Sequence, residues 1–337
     1  MWKPTINGLV TILSQLSYRL RLEGHQVYIV QPGLFSKVVC PWYPDVNLAL
    51  NLWDIDKILS AWKPCSLHIA SEGPMGFAAR RWAISQQLPF TSAIHTRMDI
   101  HLSTNLGIPA TLVERYMKWF HARSSSVLVH TEQQKSELVE YGYQNLRLWR
   151  QGVNANLFKP VKEHEIEDYL LFVGRISAEK QIDHFLKIPT RLRKVVVGDG
   201  PALASLKKKY PDVTYTGLLR GKALAAAYAK ARALVMPSHS ETLGIVILEA
   251  LASGVPVAAY PVTGPIGIIQ NGVNGWLDDN LEVAIERALQ IDRKTCYQYM
   301  ANRGWDITVD DFLDCLKAAP LIHWNGSSLK PVPSLSM

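Results

Sequence analysis

Leu9, Ile12, Leu13, Leu16 and Leu20 recur at intervals of three and four residues, which predicts an amphipathic helix ending near Gly24. Short apolar runs and helical periodicities then alternate along the chain. His25 to Val30, Val38-Val39, Ser66 to Ala70, Phe90 to Ile94 and Ser126 to Val129 read as strands. The stretches Ile55 to Trp62, Gly76 to Gln86, Ala110 to Ala122 and Thr131 to Tyr141 read as helices. The second half repeats the pattern. Strands are expected at Tyr169 to Val173, Lys194 to Val197, Thr214 to Thr216, Ala233 to Met236 and Gly254 to Ala259. Helices are expected at Lys222 to Ala231, Thr242 to Ser253, Leu281 to Leu289 and Ile307 to Lys317. Such alternation means parallel sheets covered by helices, so the expected class is α/β, with two doubly wound Rossmann-like domains facing across a cleft.

The most informative stretch runs from Met236 to Pro256. A buried strand feeds a loop, Pro237 to Ser240, and then the Thr242 to Ser253 helix, which is apolar around most of its circumference. Two carboxylates interrupt it. Glu241 stands at the expected helix entrance, and Glu249 lies about 12 Å further along the axis and ~80° around it. A buried carboxylate is costly without partners, and the N–H groups of a helix start favour an anion such as a phosphate. Together they suit an elongated anionic ligand with hydroxyls at both ends, a nucleotide sugar. On the residues alone, Glu241 as a helix cap and Glu249 as the partner of a neighbouring Arg remain an equal alternative.

Glu241-x7-Glu249 followed by Ala-Leu-Ala-Ser-Gly-Val-Pro-Val resembles the signature of the retaining family 4 (group 1) glycosyltransferases, which have the GT-B fold. The resemblance implies that Glu249 binds the ribose hydroxyls of the donor and that Glu241 lies beside the donor sugar and phosphates. Val-Gly174-Arg175-Ile-Ser-Ala-Glu-Lys180 resembles the family's Gly-Arg-x-x-x-x-Lys, in which the two cations meet the diphosphate. His95-Thr96-Arg97 resembles a His-Thr-Arg whose histidine lies near the donor sugar and acceptor. Gly198-Asp199-Gly200-Pro201 resembles a turn near the nucleotide, with the base held around Thr216 to Leu218. Thr242, Leu243 and Gly244 are implied to give donor-binding N–H groups, and Gly8 of Asn7-Gly8 a close backbone approach to phosphate. The implied catalytic set is His95, Glu241, Arg175 and Lys180.

In the family a strand precedes the Asn-Gly loop, and none precedes Asn7 here. This reads as a truncated chain or a late start, with one central strand missing from the first sheet. Gln151 to Pro160 resembles the segment leading into the inter-domain linker, with Asn154 where the family usually has Asp. Domain bounds follow: 1–160 on the acceptor side, 161–305 for the nucleotide sugar, 306–318 as a helix returning to the first domain, and 319–337 as a mobile tail. Ser71-Glu72-Gly73-Pro74, Pro41-Trp-Tyr-Pro44, Gly76 to Trp82 and Ala259 to Pro265 resemble a subgroup related to bacterial glycolipid and sulfolipid synthases.

Composition narrows the picture modestly. Lys and Arg exceed Asp and Glu by 36 to 29, an excess that suits nucleotide diphosphates or an anionic membrane. No apolar run reaches the ~18 residues of a membrane span, and no cleavable signal sequence is evident at the start. The four cysteines lack metal or disulfide spacing. The absence of a third glycine after Gly198-Asp199-Gly200 excludes a dinucleotide oxidoreductase. Asp54-x-Asp56 lies in a helical stretch and reads as a solvated face. Basic groups at Tyr18 to Leu22, Arg80-Arg81-Trp82 and Lys207 to Lys209 are candidates for membrane contact. The expectation is therefore a cytoplasmic hexosyltransferase, peripheral on the inner face of the membrane. It uses a nucleotide-diphosphate sugar and no metal, no cofactor and no nucleic acid, with a membrane lipid such as diacylglycerol or a glycolipid as acceptor. A cell-envelope saccharide as acceptor, or a truncated protein that binds nucleotide sugar without turnover, are the alternatives.

Overall fold

A computed structural model of the chain describes residues 8–40, 43–95, 98, 107–239, 241–300 and 303–317. Asn7, Pro41-Trp42, Thr96-Arg97, Ser240 and the expected tail at 319–337 lie outside these residues. By its internal contacts the chain divides into two units, 1–129 with 137–149 and 310–337, and 130–136 with 150–309. The division falls at 149/150 rather than near 160 because the intervening segment is already tied into the second unit. The Gly152 N–H donates to Thr308 Oγ1 at 2.7 Å, and Val153 bridges Gly304.

In the first unit the Gly8–Leu22 helix is the first described element. It buries Val10, Ile12, Leu16 and Leu20, one stripe at helical spacing, while Leu9 and Leu13 stay partly exposed at its margin. Strands β1 (Lys37–Cys40) and β2 (Tyr43–Ala49) form an antiparallel hairpin. Strands β3 (Leu67–Ile69), β4 (Phe90–Ala93), β5 (Ser126–Val129) and β6 (Leu146–Leu148) make a parallel sheet in that order. Two expectations are corrected here. Residues 25–30 are not a strand, for no neighbour among the described residues offers them a ladder; their backbone instead meets the Arg21 guanidinium, 2.7 Å from the Val27 carbonyl. Val38-Val39 belongs to the hairpin and not to the parallel sheet.

Arg80-Arg81-Trp82 is not an open basic patch. Arg80 is 7% exposed and donates to the Phe120 and Trp119 carbonyls, satisfying the end of the Ala110–His121 helix. Trp82 is buried with its indole N–H on Ser60, and Arg81 pairs with Asp56. The Trp305–Lys317 helix ends on this unit: Phe312 packs 5.5 Å from the ring of fully buried Trp149, and Ser126 Oγ donates to the Cys315 carbonyl.

The second unit holds β7 (Tyr169–Val173), β8 (Arg193–Val197), β9 (Thr214–Gly217), β10 (Ala233–Met236), β11 (Val257–Ala259) and β12 (Gly275–Leu277). They pair in the order β12-β11-β10-β7-β8-β9, every neighbouring pair parallel. β10 and β11 are buried throughout, which is why they read as continuous apolar runs and not as alternating ones. The chain leaves β7 toward β8 and β9 on one side, then returns to start β10 on the other. The order therefore reverses between β7 and β10. In doubly wound sheets ligands bind at the carboxyl ends of the strands flanking such a reversal.

Candidate functional site

Gly174, Arg175, Lys180 and the stretch from Glu241 to Glu249 follow β7 and β10, the two strands of the reversal. Beyond β7 the backbone passes through Gly174 and Arg175 and makes a short turn, Ala178–Lys180. Beyond β10 come Pro237, Ser238 and His239, and then Glu241. Two contacts join these loops. Ser238 Oγ donates to the Glu179 carbonyl at 3.3 Å, and the Lys180 ammonium is ion-paired with the Glu241 carboxylate. Lys180 and Glu241 side chains are 26% and 13% exposed, so this charge pair is partly desolvated yet open on one side.

The helix expected from Thr242 begins at Ile245 (Ile245–Ala252). The cause is Gly244, whose φ of 71° is a left-handed value that an α-helix cannot continue and that only glycine adopts without strain. Glu241 thus stands on the loop before the helix and not at its entrance. The loop is pinned from below: the Gly264 N–H donates to the Glu241 carbonyl at 2.9 Å. A Cβ on Gly264 would lie 2.9 Å from the Leu243 nitrogen, so only glycine allows this approach. Thr242 and Leu243 are buried under the loop, and Glu241 and Gly244 flank them.

Glu249 projects from the second turn of the helix. The Tyr228 hydroxyl, on the Gly221–Ala229 helix, donates to its Oε2 at 2.9 Å. Burial pushes the Glu249 carboxyl up to about 7, against which the Tyr228 hydrogen bond acts. Burial also holds the Tyr228 hydroxyl well above the usual tyrosine range, with the nearby Glu249 charge adding to it. Glu249 is therefore poised between its acid and carboxylate forms near neutral pH. The alternative of an arginine partner for Glu249 is set aside, since its hydrogen bond comes from Tyr228.

Gly198 follows β8 and lies against Gly174: the Gly174 N–H donates to Val197 O at 3.0 Å. A Cβ on Gly198 would meet the Gly174 carbonyl oxygen at 1.9 Å, on a backbone at φ +143°. Replacing Gly198 by Ala is expected to destabilise the second unit by about 3 kcal/mol, from overpacking and backbone strain together. Thermal unfolding of the variant reads this; an unchanged midpoint would mean that the ends of β7 and β8 separate freely. Leu218, just past β9, is 52% exposed. Gly8 and His95 belong to the first unit. Gly8 opens the first helix, and His95 follows β4 with its ring edge-on to Trp149 at 5.9 Å.

Three features of this region went unread in the sequence. Tyr228 lay in the expected Lys222 to Ala231 helix without a role. Gly264 and Tyr260 lay within the Ala259 to Pro265 match without a role. Tyr260 carries His239 stacked on its ring, with centroids 4.0 Å apart, and its hydroxyl lies 3.2 Å from His184 Nδ1. Burial, and then the neighbouring His184, lower the His239 pKa.

The family model described as Glycosyltransferase Family 4 matches residues 6–157, and the one described as Glycosyl transferases group 1 matches residues 167–291. A GDP-mannose-dependent alpha-mannosyltransferase of Corynebacterium glutamicum is 26% identical over 95% of this chain and 86% of its own length. Sulfoquinovosyl transferase SQD2 of Arabidopsis thaliana is 32% identical over 71% of this chain, which spans about half (51%) of that relative. Among solved structures, sucrose-phosphate synthase from Thermosynechococcus elongatus superposes with a TM-score of 0.72, covering 92% of this chain and 93% of that one at 18% identity. Two parallel-sheet units, a reversal point carrying Arg175, Lys180 and the Glu-x7-Glu loop and helix, and matches to both halves lead to one assignment: the chain belongs to the group 1, family 4 glycosyltransferases and has their GT-B fold.

Proposed function

We propose that this glycosyltransferase moves a hexosyl unit from a nucleotide-diphosphate sugar to a membrane lipid hydroxyl, with retention of anomeric configuration and without a metal. The observation that carries the donor half is the meeting of Lys180 and Glu241 across the reversal point, with Glu249 on the helix that follows. Arg175 and Lys180 neutralise the diphosphate, helped by the N–H groups around Gly244. Charge builds on the diphosphate as the glycosidic bond breaks, so these fixed cations lower the barrier more than they strengthen ground-state binding. Glu241, oriented by Lys180 and by the Gly264 N–H, addresses the donor sugar. Glu249 takes the ribose hydroxyls. Gly174 and Gly198 allow close backbone approach, and Leu218 lies toward the base. For His95 and Gly8 the support is the resemblance of their motifs, which assigns them to the transferred sugar and to the phosphate.

The lipid acceptor is supported by the subgroup motifs and by one surface of the first unit. Phe77, Leu112, Tyr116 and Trp119 are exposed on the Pro74–Ser85 and Ala110–His121 helices, and the Phe77 and Trp119 rings stack 6.0 Å apart. Arg115 stands on the second of these helices, and Arg81, ion-paired with Asp56 and half-exposed, on the first. Aromatic rings among cations suit the headgroup region of an anionic bilayer. No helix among the described residues is long and apolar enough to cross a membrane, so the proposed contact is peripheral.

The test is transfer by the purified chain from UDP-, GDP- and ADP-sugars to vesicles of a total lipid extract, with and without EDTA. A chloroform-soluble product whose anomeric proton matches the donor's configuration is the expected result, undiminished by EDTA. A water-soluble saccharide product would move the acceptor to the cell envelope. Donor binding with no product from any acceptor would overturn the enzymatic reading.

A further inference from the structure

We propose that Tyr228 is the positioning residue for Glu249: its hydroxyl occupies one carboxylate oxygen, fixing the group so that the other oxygen is presented to the ribose hydroxyls of the donor. This rests on the ribose reading of Glu249 given above.

Tyr228 is fully buried and donates to Glu249 Oε2 at 2.9 Å. It is held on two sides. Phe158 packs edge-on against its ring at 5.8 Å and 78°, and is itself 6% exposed. Phe158 is set by a turn built on Asn154, whose carbonyl accepts the Leu157 and Phe158 N–H groups at 2.9 Å and whose side chain accepts that of Asn156. On the other side Arg293 fastens the ends of the two helices that carry the pair. Its guanidinium donates to Ala229 O and Ala231 O, and at 3.4 Å to Ser253 O. The spacing between Tyr228 and Glu249 is thus fixed by a cation spent on carbonyls and by a phenyl ring from the segment that enters this unit.

This arrangement has a consequence for proton binding. A carboxylate accepts from two ribose hydroxyls, whereas a carboxylic acid must use one oxygen as donor. The Gly221–Ala229 and Arg293–Met300 helices pack against the one that carries Glu249. The Gly221–Ala229 helix presents Tyr228, whose proton stays in place because its pKa is raised well above the usual range. On the Arg293–Met300 helix, Arg293 is bonded to carbonyls, and the Cys296 thiol points to Asn274 O and is pushed up to about 12 by burial. Glu249 itself is pushed up to about 7 by burial and drawn down by the Tyr228 hydrogen bond. Losing that bond raises the Glu249 pKa further, so the carboxylate form becomes scarcer at neutral pH.

The experiment is titration calorimetry of the full chain with UDP and with GDP between pH 6 and 9, on the unsubstituted protein and on Tyr228→Phe, Phe158→Leu and Glu249→Ala. Nucleotide affinity is expected to rise with pH through about 7 in the unsubstituted protein. Tyr228→Phe is expected to bind about tenfold more weakly at pH 7, with the deficit narrowing toward pH 9 as its midpoint moves up by about one unit. Phe158→Leu, which keeps every polar group, is expected to shift the midpoint the same way by a smaller amount, and it carries the test should Tyr228→Phe fail to fold. A loss equal at every pH would mean that Tyr228 only packs, and would overturn the proposal. So would unchanged affinity and midpoint in Tyr228→Phe while Glu249→Ala binds weakly. Unchanged binding by Glu249→Ala would instead overturn the ribose reading and the proposal with it.

Discussion

Replacing Lys180 by Ala is expected to lower the transfer rate by roughly two to three orders of magnitude, while donor affinity falls much less. Its ammonium lies at the reversal point and pairs with Glu241 across the two loops. As the diphosphate departs it gains charge, and a cation held in place by an existing ion pair needs no reorganisation to meet it. The substitution has a second consequence, because it leaves the Glu241 carboxylate, 13% exposed, without its partner and beside the incoming phosphates. Lys180→Ala/Glu241→Gln should therefore recover part of the donor affinity, short of the sugar contact that Glu241 makes, but not turnover. Steady-state kinetics with saturating donor separates the two effects. If the double variant regained its rate, Lys180 would serve only to neutralise Glu241, and the leaving-group role would be lost.

Replacing Glu249 by Gln is expected to act in opposite directions on stability and binding. The carboxyl has a folded-state pKa raised from the ordinary 4.5 to about 7. For an acid raised in this way, the folded state favours the protonated form. The stability it contributes is fully present below about pH 4.5 and is lost as pH rises through about 7. The empty protein should then carry about 3 kcal/mol of this penalty above neutrality, an upper figure for a group that keeps partial exposure. Gln keeps the oxygen that accepts from Tyr228 and cannot ionise. The variant should therefore melt at a higher temperature than the unsubstituted protein at pH 8, with the two converging at pH 5. Its nucleotide affinity should meanwhile fall roughly 30- to 100-fold at pH 8, as charged hydrogen bonds to the ribose are lost. A pH-independent difference in melting temperature would show that Glu249 does not titrate near neutrality. Undiminished nucleotide affinity would remove it from the ribose.

The sequence was legible where chemistry is local. Continuous apolar runs at Tyr169 to Val173 and Ala233 to Met236 marked strands buried on both faces, and both strands formed with those bounds. The Glu-x7-Glu spacing and Gly-Arg-x4-Lys pointed to the family because a motif fixes residue types at set distances along one segment. Errors arose where a residue's state depended on a distant neighbour. Residues 25–30 carry strand-like composition, but a strand exists only by pairing, and no ladder is offered to them among the described residues. Arg80 and Trp82 looked like surface groups suited to lipid, yet both are buried, one against two helix-end carbonyls and the other against Ser60. The helix after Glu241 starts three residues later than its apolar pattern implied, because a left-handed glycine resets the backbone whatever the hydrophobicity around it.

By itself, then, the sequence determined the alternation of strands and helices in both halves and the family, and it supplied the side chains for which donor roles are proposed. These depend on period and spacing within one segment. Only the tertiary structure decided that Lys180 pairs with a carboxylate 61 residues away, that Gly264 supports the Glu241 loop, and that Tyr228 meets Glu249. Each of these is a contact between different β-α units. The side chain of Glu249 is the same in either description, but its proton affinity is not: burial and one hydrogen bond from another helix set it, and neither is written in the residues beside it.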